Sequence, residues 1–276
     1  MDIGDVFGNA GCEKNFNRTE NIMTYTLNIG WLYPELMSTY GDRGNIFVLT
    51  KRSEWRNIHV TVLPVEFRTP VKDLELCDFI FGGGAQDRQR GIAIDNLFKK
   101  RVVLKKSFDR GVPGLFVCGS PQLLGHYYMT GDGKKLTGLG IFDMESRHFG
   151  KSKPRCIGNT VGRIRDEFKV HGLPYRNTIV GFENHGGRTY LGKGVLPFAR
   201  IVKGCGNNGE DGTEGAVYKN CIACYSHGPF LPKNPHIADW LISKALEVKC
   251  GKKVPLVPLD DTLEWQAHGA MLRRFT

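Results

Sequence analysis

The stretch Gly114-Leu115-Phe116-Val117-Cys118-Gly119-Ser120-Pro121-Gln122-Leu123-Leu124-Gly125 constrains the fold more than any other part of the chain. Its first four residues carry no polar side chain. A strand there must be buried on both faces, as the strands of parallel sheets are. Cys118 and the small residues after it end the run, and an apolar, helix-compatible stretch follows. Such a strand-to-helix turn lifts one side chain out of the backbone. A thiol in that place stands at a helix N-terminus, where unpaired amides and the helix dipole favour the thiolate. Cys118 therefore reads as a nucleophile and not as a packing cysteine.

The first half of the chain agrees with a parallel sheet. Thr26–Leu32, His59–Val65, Asp78–Phe81 and Gly114–Val117 read as strands. Tyr40–Asn45 reads as a turn into a helix that holds Ile46–Leu49, and residues 91–110 read as a helix with Ile92, Leu97, Val102, Val103 and Phe108 inward. Strands alternating with helices imply a parallel sheet wrapped by helices. Ile157–Ile164, Thr178–Phe182, Ala199–Val202 and Gly215–Tyr225 are shorter strands divided by glycines, read as an antiparallel addition to the same sheet. A late helix has Asn234 as N-cap, Pro235 in its first turn and a stripe of Ile237, Leu241, Ala245 and Val248. The fold expected is α/β, with a mixed, mainly parallel sheet flanked by helices. Residues 1–23 read as a flexible extension, with Met23 as a start of the folded part. Residues 24–250 read as one domain, and 251–276 as an irregular tail with an amphipathic end that docks a partner.

Hydrophobic residues at 41% and charged residues at 24% are ordinary for a globular protein, and no apolar run is long enough to span a membrane. The formal charge of +10 invites a nucleic-acid reading. The basic groups are short, however, as in Lys99-Lys100-Arg101 and Lys151-Ser152-Lys153-Pro154-Arg155, and no aromatic residues interleave them for base stacking. An acidic partner, an anionic substrate or an anionic membrane surface accounts for the charge instead, and no nucleic-acid partner is expected. Cys12, Cys77, Cys118, Cys156, Cys205, Cys221, Cys224 and Cys250 form no compact disulfide framework. With polar and acidic residues where an export signal would stand, they read as reduced thiols of a cytoplasmic protein. Cys221-Ile222-Ala223-Cys224 has the spacing of a zinc half-site, but on a strand its two thiols face opposite sides, so no metal site is expected.

A cysteine nucleophile needs a base. His227 follows a strand in Cys224-Tyr225-Ser226-His227-Gly228-Pro229 and can reach a turn at the same sheet edge. His126 sits two turns into the helix after Cys118 and points away, His59 packs inside a strand, and His185 reads as packing or support for a substrate loop. The amides of Gly119 and of Gly82-Gly83-Gly84 are candidates to hold a developing oxyanion.

These segments resemble a known family. Cys118-Gly119-Ser120-Pro121-Gln122 is similar to the nucleophile elbow of class I glutamine amidotransferases, and Gly181–Thr189 to a segment of their cobyric acid synthase type. Ile29–Pro34, Met37–Asn45, Gly82-Gly83-Gly84 with Gln86-Asp87, and His227–Pro235 resemble the glutamine amidotransferase subunits of lipid II isoglutaminyl synthases. The resemblance implies a class I amidotransferase fold. It implies glutaminase chemistry, with Cys118 as nucleophile, His227 as base, Gly83, Gly84 and Gly119 at the oxyanion, and Arg155 and Gln122 holding L-glutamine. Ammonia would pass to a Mur-ligase-like partner that amidates the D-glutamate of lipid II. ATP and Mg would bind that partner and no cofactor this chain, and the work would be cytoplasmic, near the inner face of the membrane. The class commonly places Glu two residues after the histidine. Pro229 stands there, so a Cys–His dyad with no third member is expected. Ser120 and Pro121 stand where glycine and an aromatic are common. A corrinoid amidating system with another partner, and a scaffold whose elbow has drifted, are the alternatives.

Overall fold

The computed structural model describes residues 25–275 apart from Tyr175. The expected extension at 1–23 and Met23 lie outside the described residues. The chain runs through β1 (Tyr25–Leu32), α1 (Arg43–Glu54), β2 (Ile58–Val65), β3 (Phe79–Gly82), α2 (Asp87–Asp109), β4 (Gly114–Val117) and α3 (Gly119–Leu124). It continues through β5 (Tyr127–Met129), β6 (Lys135–Thr137), β7 (Met144–His148), β8 (Cys156–Ile164), β9 (Thr178–His185), β10 (Gly187–Leu191) and β11 (Ala199–Lys203). β12 (Thr213–Glu214), β13 (Ala216–Tyr218), β14 (Cys221–Cys224), α4 (Pro235–Cys250) and α5 (Thr262–Phe275) complete it.

The central sheet has the order β13-β14-β4-β3-β1-β2, parallel except for β13. β4 lies inside it with all four residues buried, which its unbroken apolarity requires. Leu115 and Val117 face the core shared with α1 and α4, and Phe116 faces the core shared with α2. β14 repeats this alternation: Cys224 belongs to the first core and Cys221 to the second, so the two thiols do face opposite sides. The nucleophile elbow follows β4 and the His227 loop follows β14, its parallel neighbour, so both open at the same sheet edge.

Several expectations need correction. The short strands of the second half do not all extend the central sheet. β8, β9, β11 and β12 form a sheet of their own, β5, β6, β7 and β10 form another, and Gly215–Tyr225 alone joins the centre, as the β13–β14 hairpin. The inward stripe of α2 is Ala93, Ile94, Leu97, Leu104 and Phe108, while Ile92 and Val102 face outward. His59 is exposed on β2. α3 ends at Leu124, so His126 lies beyond it, exposed and bonded to Asp143 at 2.9 Å. Asn234 precedes α4 without capping it through its side chain. Its carboxamide instead accepts from Val180 N at 3.0 Å and donates to Val180 O and Phe230 O, stapling β9 to the loop that carries His227.

Residues 251–275 pack back on the domain. Arg52 bonds Asp261 at 2.5 Å and Arg56 donates to Val257 O at 2.6 Å. His268 of α5 is buried between Thr178 and Lys233 O. Cys156 and Cys205 form a disulfide across 49 residues, and Cys250 is also disulfide-bonded, so these three are not the reduced thiols expected. Cys156 opens β8 and Cys205 lies just past the end of β11, a strand of the same sheet, a proximity that spacing alone does not reveal. Among the described residues no helix is long and apolar enough to cross a membrane.

Candidate active site

Cys118 has φ 53° and ψ −90°, a conformation that a side-chain-bearing residue adopts only when its surroundings hold it there. Its N–H donates to Cys224 O at 2.8 Å, locking the elbow to β14. Gly119 follows because nothing larger fits: a Cβ there would lie 2.6 Å from Ala85 N. Ser120 donates its hydroxyl to Gly83 O, and Pro121 occupies the first turn of α3, where its missing N–H has no partner to lose. Both residues that depart from the commoner elbow are thus built into this one.

The His227 backbone is fixed by a two-way bridge to Phe182, with N–H···O distances of 2.7 and 3.2 Å. Its Nδ1 lies 3.1 Å from Asp42 Oδ1, and both side chains are fully buried. Asp42 sits at the N-cap of α1 but makes no capping bond, because its carboxylate turns to His227 and to Gly84 N–H at 2.6 Å. A carboxylate thus stands against His227 where the local sequence offered none, from a residue 185 positions away. Burial opposes a charge on His227. The Cys118 sulfur beside the ring and the Asp42 carboxylate outweigh that and push the imidazole up to about 10. Tyr40, itself at φ 56°, sets its ring edge-on to His227 at 5.1 Å and remains half exposed.

Cys118 opens on a cavity of about 590 Å³ whose wall includes Ala85, Gln122, Arg155, Asn184 and His185. Arg155 lines it, with its guanidinium donating to Asn184 Oδ1 at 2.9 Å and Asn184 O at 3.2 Å. Gln122 also lines the cavity, but its carboxamide already accepts from Arg90 and donates to Tyr225 Oη at 2.9 Å. The sequence reading passed over Arg90, which is buried, bonded to Gln122 and Asp87, and stacked 4.1 Å from the Tyr128 ring centre. Its place in Gln86-Asp87-Arg88-Gln89-Arg90, one turn into α2, was the available signal.

The oxyanion expectation changes in one respect. Gly84 N–H is committed to Asp42, so it does not face the cavity. Ala85, the next residue, does line the cavity, and its backbone lies against Gly119. His185 supports the wall: Nδ1 bonds Gly187 O at 2.8 Å and the ring stacks on Tyr225 at 3.9 Å. Glu183 and Arg188 do not pair with each other. Glu183 accepts from Cys205 N and Gly206 N, and Arg188 donates to Cys156 Sγ and Pro154 O. Cys156, Glu183 and Cys205 stand close enough to hold a metal ion, but their donor atoms already have these partners.

The CobB/CobQ-like glutamine amidotransferase domain model matches residues 28–235. Two proteins described as the glutamine-hydrolysing subunit GatD of lipid II isoglutaminyl synthase are similar over most of their length. The one from Staphylococcus aureus is 39% identical over 91% of this chain and 96% of its own. The one from Streptococcus pneumoniae is 37% identical over 87% of this chain and 88% of its own. A probable cobyric acid synthase from Methanothermobacter thermautotrophicus is 32% identical over 45% of this chain and 25% of its own. Among solved structures, the glutaminase domain of Trypanosoma brucei CTPS with bound acivicin has a TM-score of 0.52 at 13% identity, covering 84% of this chain and 96% of that one. At that identity the likeness is one of fold.

Proposed function

We propose that this chain, which belongs to the CobB/CobQ-like glutamine amidotransferase domain family and within it to the GatD subunits of lipid II isoglutaminyl synthase, hydrolyses L-glutamine through Cys118, His227 and Asp42. The observation that carries the site assignment is the buried Asp42–His227 pair set against a strained cysteine that opens on the cavity.

In this mechanism the Cys118 sulfur, whose thiol proton has passed to His227, attacks the carboxamide carbon, and the carbonyl oxygen takes the electron pair as an oxyanion. The amides of Gly119 and Ala85, whose backbones lie against each other, hold that charge, and Gly83 keeps the loop in place through its carbonyl bond to Ser120. His227 carries its proton at neutral pH and gives it to the departing nitrogen. The C–N bond breaks, ammonia leaves and a glutamyl thioester remains. His227 then takes a proton from water as it attacks the thioester, and glutamate is released. Asp42 fixes the ring orientation and stabilises the imidazolium throughout. Arg155, held by Asn184 at the cavity wall, meets the α-carboxylate of glutamine, and Gln122 holds Arg90 in place beside it.

Ammonia passes to an ATP-dependent ligase of Mur-ligase type, which binds ATP and Mg and amidates the D-glutamate of lipid II at the inner face of the membrane. The test uses the complex with that ligase, and lipid II amidation is followed with glutamine or with an ammonium salt as nitrogen source. Cys118→Ala is expected to abolish amidation from glutamine and to leave amidation from ammonium intact. Glutamine-driven amidation that survives in Cys118→Ala would refute the assignment.

A further inference from the structure

We propose that the outward face of α2 docks this chain on an anionic membrane surface. The helix has 23 residues and is therefore about 35 Å long. Its inner side belongs to the core. At helical spacing Arg88, Ile92, Asp95, Lys99, Val102 and Lys106 fall in one stripe on the opposite side, and all are exposed. Ile92 is 48% exposed and Val102 77%. Phe98, 37% exposed, flanks the stripe. Phe67, 42% exposed, stands beside it on the loop after β2, where its carbonyl accepts from Asn96 of α2 at 3.1 Å. Single exposed apolar residues need no explanation, but this group surrounds one helix.

The charge along the stripe selects the occupant. Arg88, Lys99 and Lys106 stand against one acid, Asp95, and Arg110 adds a cation at the end. Lys105 is the one lysine of α2 that forms an ion pair among the described residues, with Asp109 at 2.7 Å. Base stacking on nucleic acid would need aromatic residues through the stripe, which holds Ile and Val. Apolar tips between cations, along one exposed helix face, are the pattern of a segment lying in the headgroup layer of an anionic bilayer. The N-terminal end of α2 supplies Asp87, Arg88 and Arg90 to the cavity. Docking therefore sets the cavity mouth beside the bilayer, which matters if the proposed lipid-linked acceptor is right; the docking itself stands on the helix alone.

The test is flotation of the full chain with vesicles of phosphatidylcholine alone, and of phosphatidylcholine mixed with phosphatidylglycerol. Binding is expected to the mixed vesicles only and to weaken with salt. Each cation at an anionic surface contributes about fivefold to partitioning, so Lys99→Glu with Lys106→Glu lowers it about twenty-five-fold or more. Phe98→Ser with Val102→Ser lowers it as well, and circular dichroism and glutamate release stay at wild-type values in both variants. Flotation is read without catalysis, so it stands apart from any failure of the glutaminase assignment. Three outcomes overturn the docking: no binding to the mixed vesicles; binding unchanged in the lysine variant; or loss of ligase binding in these variants with vesicle binding intact, which would make α2 the partner face.

Discussion

Cys118, His227 and Asp42 reach one point from a turn after β4, a loop after β14 and the start of α1. Asp42→Asn keeps the shape and removes the charge. It is expected to lower kcat about 100-fold, with KM little changed, in a steady-state glutaminase assay. In the same variant the His227 imidazole, followed by NMR, should lose its proton well below the value of about 10 that it has in the wild type. An unchanged titration would mean that Asp42 does not act on the ring. Gly84→Ala tests the packing behind the histidine. A Cβ there would lie 2.8 Å from His227 Cε1 and 3.1 Å from Asp42 Oδ2, both fully buried. Glutamate release should fall sharply while the melting temperature changes little, and wild-type activity would show that the ring has room to move. Cys118 was legible because strand, turn and helix lie within a dozen residues, and His227 because its loop ends a strand. Asp42 was not, because its partner is 185 residues away and its own segment reads as an ordinary helix start.

Elements explain which local readings held. β4 could be read from four residues, since a run without polar side chains has no solvent face to offer. α2 was found, but its stripe was set wrongly: Ile92 and Val102 are apolar and still outward, so apolarity alone misplaced the phase. β5, β6, β7 and β10 escaped notice because they are short and gain their stability from pairing with distant strands. The tail escaped because its partners are distant in sequence. In α5, Trp265 stacks on His236 at 5.2 Å and His268 lies beneath β9. Burial pushes His236 down to about 3 and also lowers His268. Both are neutral in the folded chain and take up protons more readily when unfolded, whose ordinary value is 6.5. Their contribution is complete above pH 6.5 and declines as pH falls from there toward 3. The melting temperature should therefore drop between pH 7 and pH 5, and His236→Leu should flatten that drop. Parallel curves for the two proteins would show that His236 is not responsible.

At the scale of the whole molecule, one parallel sheet edge gathers the nucleophile, the base and the cavity, and of the two smaller sheets the antiparallel one, at the start of β8 and the end of β9, brings Arg155 and Asn184 to the cavity wall. Alternating strands and helices made the first part legible. The division into three sheets was not, since a glycine-rich run of short strands fits an extended mixed sheet equally well. The disulfide between Cys156 and Cys205 shares that origin, because it joins the start of β8 to a residue just past the end of β11, and the placement of those two strands in one sheet is not legible in the sequence. The whole architecture serves one claim, that the Cys118 sulfur attacks glutamine. The most direct test is the initial rate of glutamate release from L-glutamine by the chain in complex with its ligase, beside the same complex carrying Cys118→Ala. The account predicts release by the first and none above background by the second, with both complexes assembled. Equal release by the two would contradict it.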